Sequence, residues 1–386
     1  MENYIERVAL ELPYIVKLRK YFHINAEVAG IENKTTKRII SELKKMKVDY
    51  EVINKNSVIA YINKDRKKKA LALRTGIEGY EIRESDDNEY TSENDFISHA
   101  TGNDCNIAAM LGVIKILKED EKKLNGKAVF IFESNSPQVK SSDSILKAGC
   151  LPNIEYFYTL HLISQLKLGS YDITKGKLLV GLNSIKIKWY GNSIVTALNN
   201  NKTDLIRVSA HFAFDIVGTI ANNVDNTKAY KVAVTEFKAG GYHNIIPDYC
   251  EMSMNIRYED NDIKKEIHKQ INESLKDMEN RYSVKTKSVV TNDIEPLAND
   301  SEAADFAIEA LKKINGKLNT EPMNVKMLSE TLSNYAKHYK TSLIAVGSMS
   351  RNEDGSDFYT KDFFPNDEAV HNLSKLMMQL CLDYFN

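Results

Sequence analysis

Histidines, acids and a serine that could take part in hydrolytic chemistry are scattered through this 386-residue chain. Asp104 with His99 or His161 has the residue types of an acid–base dyad, because a carboxylate and an imidazole can exchange a proton. No nucleophile accompanies either pair. Ser136 has a suitable hydroxyl, but it lacks the G-x-S-x-G sequence that exposes a hydrolase serine on a sharp turn. We therefore expect hydrogen-bonded histidines in this region and not a catalytic triad.

Alternating helical and strand patterns surround these residues. Compact apolar runs are typical of buried strands, and they occur at residues 70–73, 128–132 and 157–160. Apolar residues at helical spacing lie near them, at residues 39–46, 107–117 and 142–148. Short apolar strands interleaved with helices predict an α/β fold, with a mostly parallel sheet covered by helices on both faces.

The middle of the chain has a different pattern. Ile185, Ile187 and Trp189 alternate with lysines, as in a half-buried strand. The following elements give the order strand, helix, strand, strand, helix, strand, which is typical of a ferredoxin-like α+β domain. The α/β pattern returns afterwards. We therefore predict a discontinuous α/β domain that is interrupted by an inserted lid domain. The α/β domain comprises residues 1–181 and 294–386, and the lid domain comprises residues 182–293.

Composition and charge exclude several classes of protein. The chain is 42% apolar and 27% charged, and 52 basic against 53 acidic residues give a formal net charge of -1. This balance argues against nucleic-acid or membrane partners that act through a chain-wide field. No apolar run is long enough to span a membrane, and the first residues do not resemble a signal peptide. Four widely spaced cysteines without a CxxC pair indicate reduced thiols in a cytoplasmic protein.

Seven short strings occur in an order that points to one family. They are Arg19 with residues 23–27, Glu32 and Thr35; ALRTGIE at 72–78; SHATGNDCN at 98–106; FESNSP at 132–137; TLH at 159–161; GGYHNIIPD at 240–248; and MLSETLSNY at 327–335. Together they resemble the M20 metallopeptidases and amidohydrolases, nearest to the branch that hydrolyses hippurate and other N-acyl amino acids. The resemblance covers nearly the whole chain and implies the same two-domain fold.

The family's chemistry depends on two divalent cations. In this branch two zinc, manganese, cobalt or nickel ions polarise an amide carbonyl and activate a water, whose proton passes to a glutamate. The resemblance places Ser136 at the position of that base. It places the five metal-ligand positions at Thr101, Asn103, Pro137, His161 and Tyr359. Neutral hydroxyl, amide and phenol groups are poor ligands, and proline has no side-chain donor. We therefore expect no bound metal cofactor and no catalytic residue.

The substrate-side residues of the family are better preserved. One residue of the family's lid is lost: the histidine that stabilises the reacting carbonyl is replaced by Val195, an apolar residue that cannot donate to an oxyanion. By contrast, the resemblance retains a substrate-binding set of Asn244, Arg257, His161 and Glu330. The leading hypothesis is a degenerate, inactive amidohydrolase that binds a small N-acyl amino acid or peptide, or that serves as a scaffold.

Two alternatives remain open from the sequence. The first is an active amidohydrolase with an unusual or single-metal site around His161, Asp104 and Glu330. The second is a regulatory or structural subunit that pairs with an active M20 paralogue. Family members often dimerise through the lid by edge strands and a helix, so a homodimer is expected under the leading hypothesis.

Overall fold

The computed structural model describes residues 4–135, 141–196, 203–318, 327–348 and 359–385. The chain divides into two compact units. The first unit comprises residues 1–177, 298–324 and 334–386, and the second comprises residues 178–297 and 325–333. The second unit begins four residues before the predicted boundary at 182 and ends four residues after the predicted boundary at 293. It also includes residues 325–333, which the sequence placed in the α/β domain.

The helices and strands alternate along the chain. The helices are α1 (Tyr4–Ile24), α2 (Asn33–Met46), α3 (Asn103–Glu119), α4 (Ser141–Lys147), α5 (Leu205–Asn223), α6 (Asn261–Tyr282), α7 (Ser301–Lys313), α8 (Leu332–Ala336) and α9 (Asp367–Phe385). The strands are β1 (Asp49–Ile53), β2 (Ser57–Ile62), β3 (Ala70–Gly76), β4 (Ala128–Glu133), β5 (Ile154–Ile163), β6 (Ser170–Asp172), β7 (Gly176–Leu179), β8 (Gly181–Tyr190), β9 (Ile194–Val195), β10 (Tyr230–Ala239), β11 (Ile245–Ile246), β12 (Tyr249–Tyr258), β13 (Lys285–Ile294), β14 (Leu297–Asn299), β15 (Lys317–Leu318) and β16 (Lys340–Gly347). None of the described helices is long and apolar enough to span a bilayer.

An eight-stranded sheet forms the centre of the first unit, in the order β1-β2-β4-β3-β5-β16-β6-β15. Its central pairs, β4 with β3, β3 with β5 and β5 with β16, are parallel. β2, β3 and β4 are buried at every residue, as strands covered on both faces must be. The predicted α/β fold with a mostly parallel sheet is therefore confirmed.

The carboxyl ends of the parallel strands position the candidate site. β3 ends at Gly76, two residues before Glu78, and β4 ends at Glu133. His161 lies near the end of β5, opposite Ala345 of β16. Because ligands of open α/β sheets bind beyond the carboxyl ends of the strands, this edge is where chemistry is expected.

The second unit contains a four-stranded antiparallel sheet in the order β10-β12-β8-β13. Ile187 and Trp189 of β8 and Met252 of β12 belong to one buried cluster with apolar residues of α5 and α6. Asp204 and Asp260 cap the two helices by accepting backbone N–H groups of the first turn. The elements β8, α5, β10, β12, α6 and β13 have the order predicted for the inserted domain.

Candidate functional site

The loop before α3 carries two of the former ligand positions, Thr101 and Asn103. Gly102 separates them with a φ of 77°, and a Cβ there would meet the side chains of Leu162 and Phe363 at 3.3 and 3.5 Å. Asn103 donates from Nδ2 to the carbonyl oxygen of Glu78 at 2.9 Å. The hydroxyl of Thr101 is buried and has no hydrogen-bond partner among the described residues. Both positions therefore hold neutral side chains close to the end of β3.

His161 and Tyr359 are the other described former ligand positions. His161 is half-buried in β5. Tyr359 has a φ of 61°, donates its backbone N–H to the carbonyl of Ala100 at 3.2 Å, and is 41% exposed. Its ring lies edge-to-face with that of Tyr80, with centroids 5.3 Å apart. Ser136 and Pro137, the predicted positions of the base and of a fifth ligand, lie outside the described residues.

These residues do not fit a pair of divalent cations. Within the described ranges, no group of three or more His, Cys, Asp or Glu side chains could hold a metal ion. At the former ligand positions, Asn103 turns an amide N–H toward a carbonyl and Tyr359 packs its ring on another tyrosine. A dication requires thiolate, imidazole or carboxylate donors to replace its water, and His161 is the one imidazole among these positions.

A buried polar network lies behind this loop. Arg74 pairs with Glu133 at 2.8 Å (Nε to Oε2) and donates to Asn135 Oδ1 at 2.8 Å. Asn135 in turn donates to Glu78 Oε1 at 3.1 Å. Tyr335, from the family-like string at 327–335, donates its hydroxyl to Glu133 at 3.1 Å. The ends of β3 and β4 are thus joined by charged side chains that are shielded from water.

Glu78 has an unusual environment for a carboxyl group. Its residue is only 5% exposed, and a Cβ on Gly76 would meet its carboxyl oxygens at 2.7 and 2.9 Å. Burial raises the pKa of Glu78 to about 7, although hydrogen bonds and the charge of Arg74 lower it. Gly76 therefore makes the space in which this carboxyl group is held.

Asp104 belongs to a second buried cluster, in which its Oδ2 pairs with His23. His23 contacts Asp104 Oδ2 through Nδ1 at 2.9 Å and Glu84 Oε1 through Nε2 at 2.6 Å. Arg19 adds its guanidinium at 3.5 Å from Asp104. Burial lowers the pKa of His23, but the hydrogen bonds to both carboxylates outweigh it and raise the pKa to about 9. Burial raises the pKa of Asp104, but His23 and Arg19 bring it below its usual range.

The predicted single-metal site around His161, Asp104 and Glu330 stays a prediction: Oδ2 of Asp104 is held by His23, whereas Oδ1 has no hydrogen-bond partner among the described residues. The sequence did not identify this cluster. One feature of the sequence could have indicated the cluster: Arg19 and His23 are four residues apart, which places both on one face of α1. Glu84 has no such signal, because it lies in a loop far along the chain. His99 is buried beside the cluster, and burial lowers its pKa.

Three predicted substrate-binding residues lie in the second unit. Arg257 on β12 donates from Nη1 to Ser329 Oγ at 3.1 Å. Glu330 follows Ser329 and accepts from the Thr331 hydroxyl at 3.2 Å. Asn244 is exposed, and its carbonyl accepts the backbone N–H of Thr196 at 2.9 Å. The structure thus brings Arg257 to the 327–335 string, whereas His161 lies in the first unit.

The fold is that of an α/β protein with an inserted four-stranded domain. Residues 179–283 match the peptidase dimerisation domain of the M20 family. The chain is 24% identical to thermostable carboxypeptidase 2 of Saccharolobus solfataricus over 80% of each chain, and 23% identical to hippurate hydrolase of Campylobacter jejuni over 95% of this chain and 96% of that one.

A solved structure shows the same fold. The dinuclear metal-binding M20 peptidase of Bacillus subtilis superimposes with a TM-score of 0.78 at 20% identity, over 98% of this chain and 99% of that one. The chain thus resembles the M20 peptidases and amidohydrolases over most of its length, as its short strings indicated.

Proposed function

We propose that this chain is a non-catalytic homologue of the M20 amidohydrolases that binds a small N-acyl amino acid or peptide. The observation that carries the proposal is the state of the loop before α3, where Asn103 donates its amide to the Glu78 carbonyl and Thr101 is a buried hydroxyl. Neither side chain supplies the charge that a dehydrated dication needs.

Arg257 is the proposed anchor for the carboxylate of the ligand. The Arg257 residue is half-buried, and a hydrogen bond to Ser329 orients its guanidinium. A carboxylate that binds there competes with less water than a carboxylate that binds a fully exposed arginine. A planar guanidinium can donate two parallel hydrogen bonds to a carboxylate, which a lysine cannot do. Asn244 and Glu330, which belong to the same unit as Arg257, are proposed to add polar contacts.

Titration calorimetry with N-acetyl and N-benzoyl amino acids tests this function. We expect wild-type protein to bind at least one of these compounds without releasing a free amine. The Arg257→Gln variant should bind it about tenfold or more weakly, because a hydrogen bond to a charged group contributes about 1.5–3 kcal/mol. The matched control is Arg281→Gln, which changes an exposed arginine of the same unit. Release of amine by the wild-type protein, or equal binding by Arg257→Gln, would overturn the proposal.

The dimerisation match supports a second part of the proposal, a homodimer formed through α5. An apolar stripe at helical spacing runs along its outer face, with Ile206, Phe214 and Val217 exposed by 39%, 86% and 40%. β10, the neighbouring edge strand, leaves backbone groups unpaired within its own sheet. An apolar face of this kind is typical of a protein interface. The same surface would also serve the alternative in which the partner is an active M20 paralogue.

A cytoplasmic location is part of the proposal. The four cysteines, Cys105, Cys150, Cys250 and Cys381, are free. Free, mostly buried thiols are typical of proteins in a reducing compartment.

A further inference from the structure

Among the described residues, buried acidic groups outnumber their basic partners behind the loop before α3. Glu133 is paired with the guanidinium of Arg74 at 2.8 Å. Glu32, by contrast, is held by neutral donors, which are the hydroxyl of Ser134 at 2.7 and 2.8 Å, the amide of Asn56 at 3.0 Å and the backbone N–H of Gly30 at 2.8 Å. Buried negative charge attracts a cation, because its own hydration has been lost.

Glu78 is also held by neutral donors. Its carboxyl accepts the backbone N–H of Ile77 at 3.0 Å and the amide of Asn135 at 3.1 Å. The Tyr80 hydroxyl lies 3.4 Å from Oε1, which is a long hydrogen bond. A carboxylate oxygen can accept more than one hydrogen bond, so the group retains capacity for a further donor.

An aromatic pair lies next to Glu78. Tyr80 and Tyr359 lie edge-to-face with centroids 5.3 Å apart, and Tyr359 is 41% exposed. Tyr359 keeps a φ of 61°, a conformation that costs a bulky side chain about 1 kcal/mol or more. Strain of this kind persists where the surrounding structure holds a residue in place. The faces of aromatic rings attract cations, with about 0.5–2 kcal/mol per contact.

The donor set distinguishes between kinds of cation. A divalent metal needs three or more strong ligands, and the described residues contain no such group. An ammonium group needs only hydrogen-bond acceptors and a negative electrostatic potential. One carboxyl, one hydroxyl and two aromatic rings can supply both.

We propose that Glu78, Tyr80 and Tyr359 bind the ammonium group of a peptide with a free amino terminus, beyond the end of β3. The inference rests on the proposed ligand-binding function and narrows its ligand, an N-acyl amino acid or peptide, to a peptide with a free amino group. Glu78 forms the ion pair, and the tyrosine rings cover another side of the ammonium.

Two probe peptides that differ at one group test this inference. Glycyl-phenylalanine and N-acetyl-glycyl-phenylalanine share a carboxylate and a side chain, but only the first has an ammonium group. Calorimetry at pH 7 should show about tenfold tighter binding of the free peptide, equivalent to about 1.4 kcal/mol. Glu78→Gln should remove this preference while the acetylated peptide still binds. The matched control, Glu81→Gln, changes an exposed carboxylate three residues away and should keep the preference.

A second variant separates ligand recognition from folding. Tyr359→Leu leaves the buried network of Glu78 intact and should reduce the preference for the free peptide, with an unchanged circular dichroism spectrum. Equal binding of the two peptides by the wild-type protein would overturn the inference and leave the proposed function standing. Absence of binding by either peptide and by every N-acyl amino acid would overturn both.

Discussion

Neutral side chains at the former ligand positions change the environment of the carboxyl groups around them. In a dinuclear centre, cations compensate buried carboxylates and hold them ionised. Here Asn103 offers an amide to the Glu78 carbonyl, and burial raises the pKa of Glu78 to about 7. Arg74 compensates Glu133, and neutral hydrogen bonds hold Glu32. The described side chains of this site therefore form a buried hydrogen-bonded network with acidic character.

His23 makes the stability of the fold depend on pH. Its pKa is about 9 in the folded chain and about 6.5 when unfolded. The folded state therefore holds a proton more tightly, and this contribution is complete below pH 6.5 and lost as the pH rises through 9. A shift of this size corresponds to about 3 kcal/mol. In urea unfolding, the gap in free energy between wild-type protein and His23→Gln should shrink from pH 6 to pH 9.5.

The control for this prediction is His338→Gln, which changes an exposed histidine of the same unit. Its unfolding free energy should differ little from that of the wild-type protein at either pH. A gap between wild-type protein and His23→Gln that stays constant over this range would show that His23 is not held as an imidazolium between Asp104 and Glu84.

Among the elements, β16 contains the position with the least room for change. A Cβ on Gly347 would lie 1.9 Å from the carbonyl oxygen of Lys167, a backbone atom that cannot rotate away. Gly347→Ala should therefore lower the free energy of unfolding by about 1–3 kcal/mol, as overpacked core substitutions do. Urea unfolding monitored by circular dichroism measures the effect.

Gly218 in α5 is the matched control for Gly347. A Cβ there would meet nothing within 4 Å, so Gly218→Ala should raise the stability of the helix by up to about 1 kcal/mol. Equal effects of the two substitutions would mean that the strand end and the loop at Lys167 are not packed as described.

The sequence predicted the helices and strands better than it predicted the contacts between distant segments. The alternation of Ile185, Ile187 and Trp189 identified β8, because a half-buried strand has a period of two. The short strings identified the loop of Thr101 and Asn103. The contact of Arg257 with Ser329 was not predicted, since local periodicity contains no information about which unit a distant segment joins. The same reason explains why Glu84 was missed as a partner of His23.

At the scale of the whole molecule, the outer face of α5 determines the expected assembly. Phe214 is 86% exposed near the middle of the apolar stripe. Phe214→Asp should convert a dimer to monomers in sedimentation velocity experiments, because loss of a central aromatic contact commonly costs about 2 kcal/mol or more. Leu10→Asp is the control, since Leu10 is 79% exposed but lies on α1 of the first unit. A monomeric wild-type protein, or a dimeric Phe214→Asp variant, would exclude this interface.

The account as a whole depends on the loss of the dinuclear metal centre. The most direct test is the metal content of purified protein, measured by mass spectrometry after incubation with zinc, manganese or cobalt and removal of free ions. A variant with the family's ligands restored (Thr101→Cys, Asn103→His, Ser136→Glu, Pro137→Glu and Tyr359→His) provides the comparison. We expect far less than one ion per wild-type chain and a clear gain in the variant. Two ions per wild-type chain, together with amide hydrolysis that a chelator abolishes, would contradict the account.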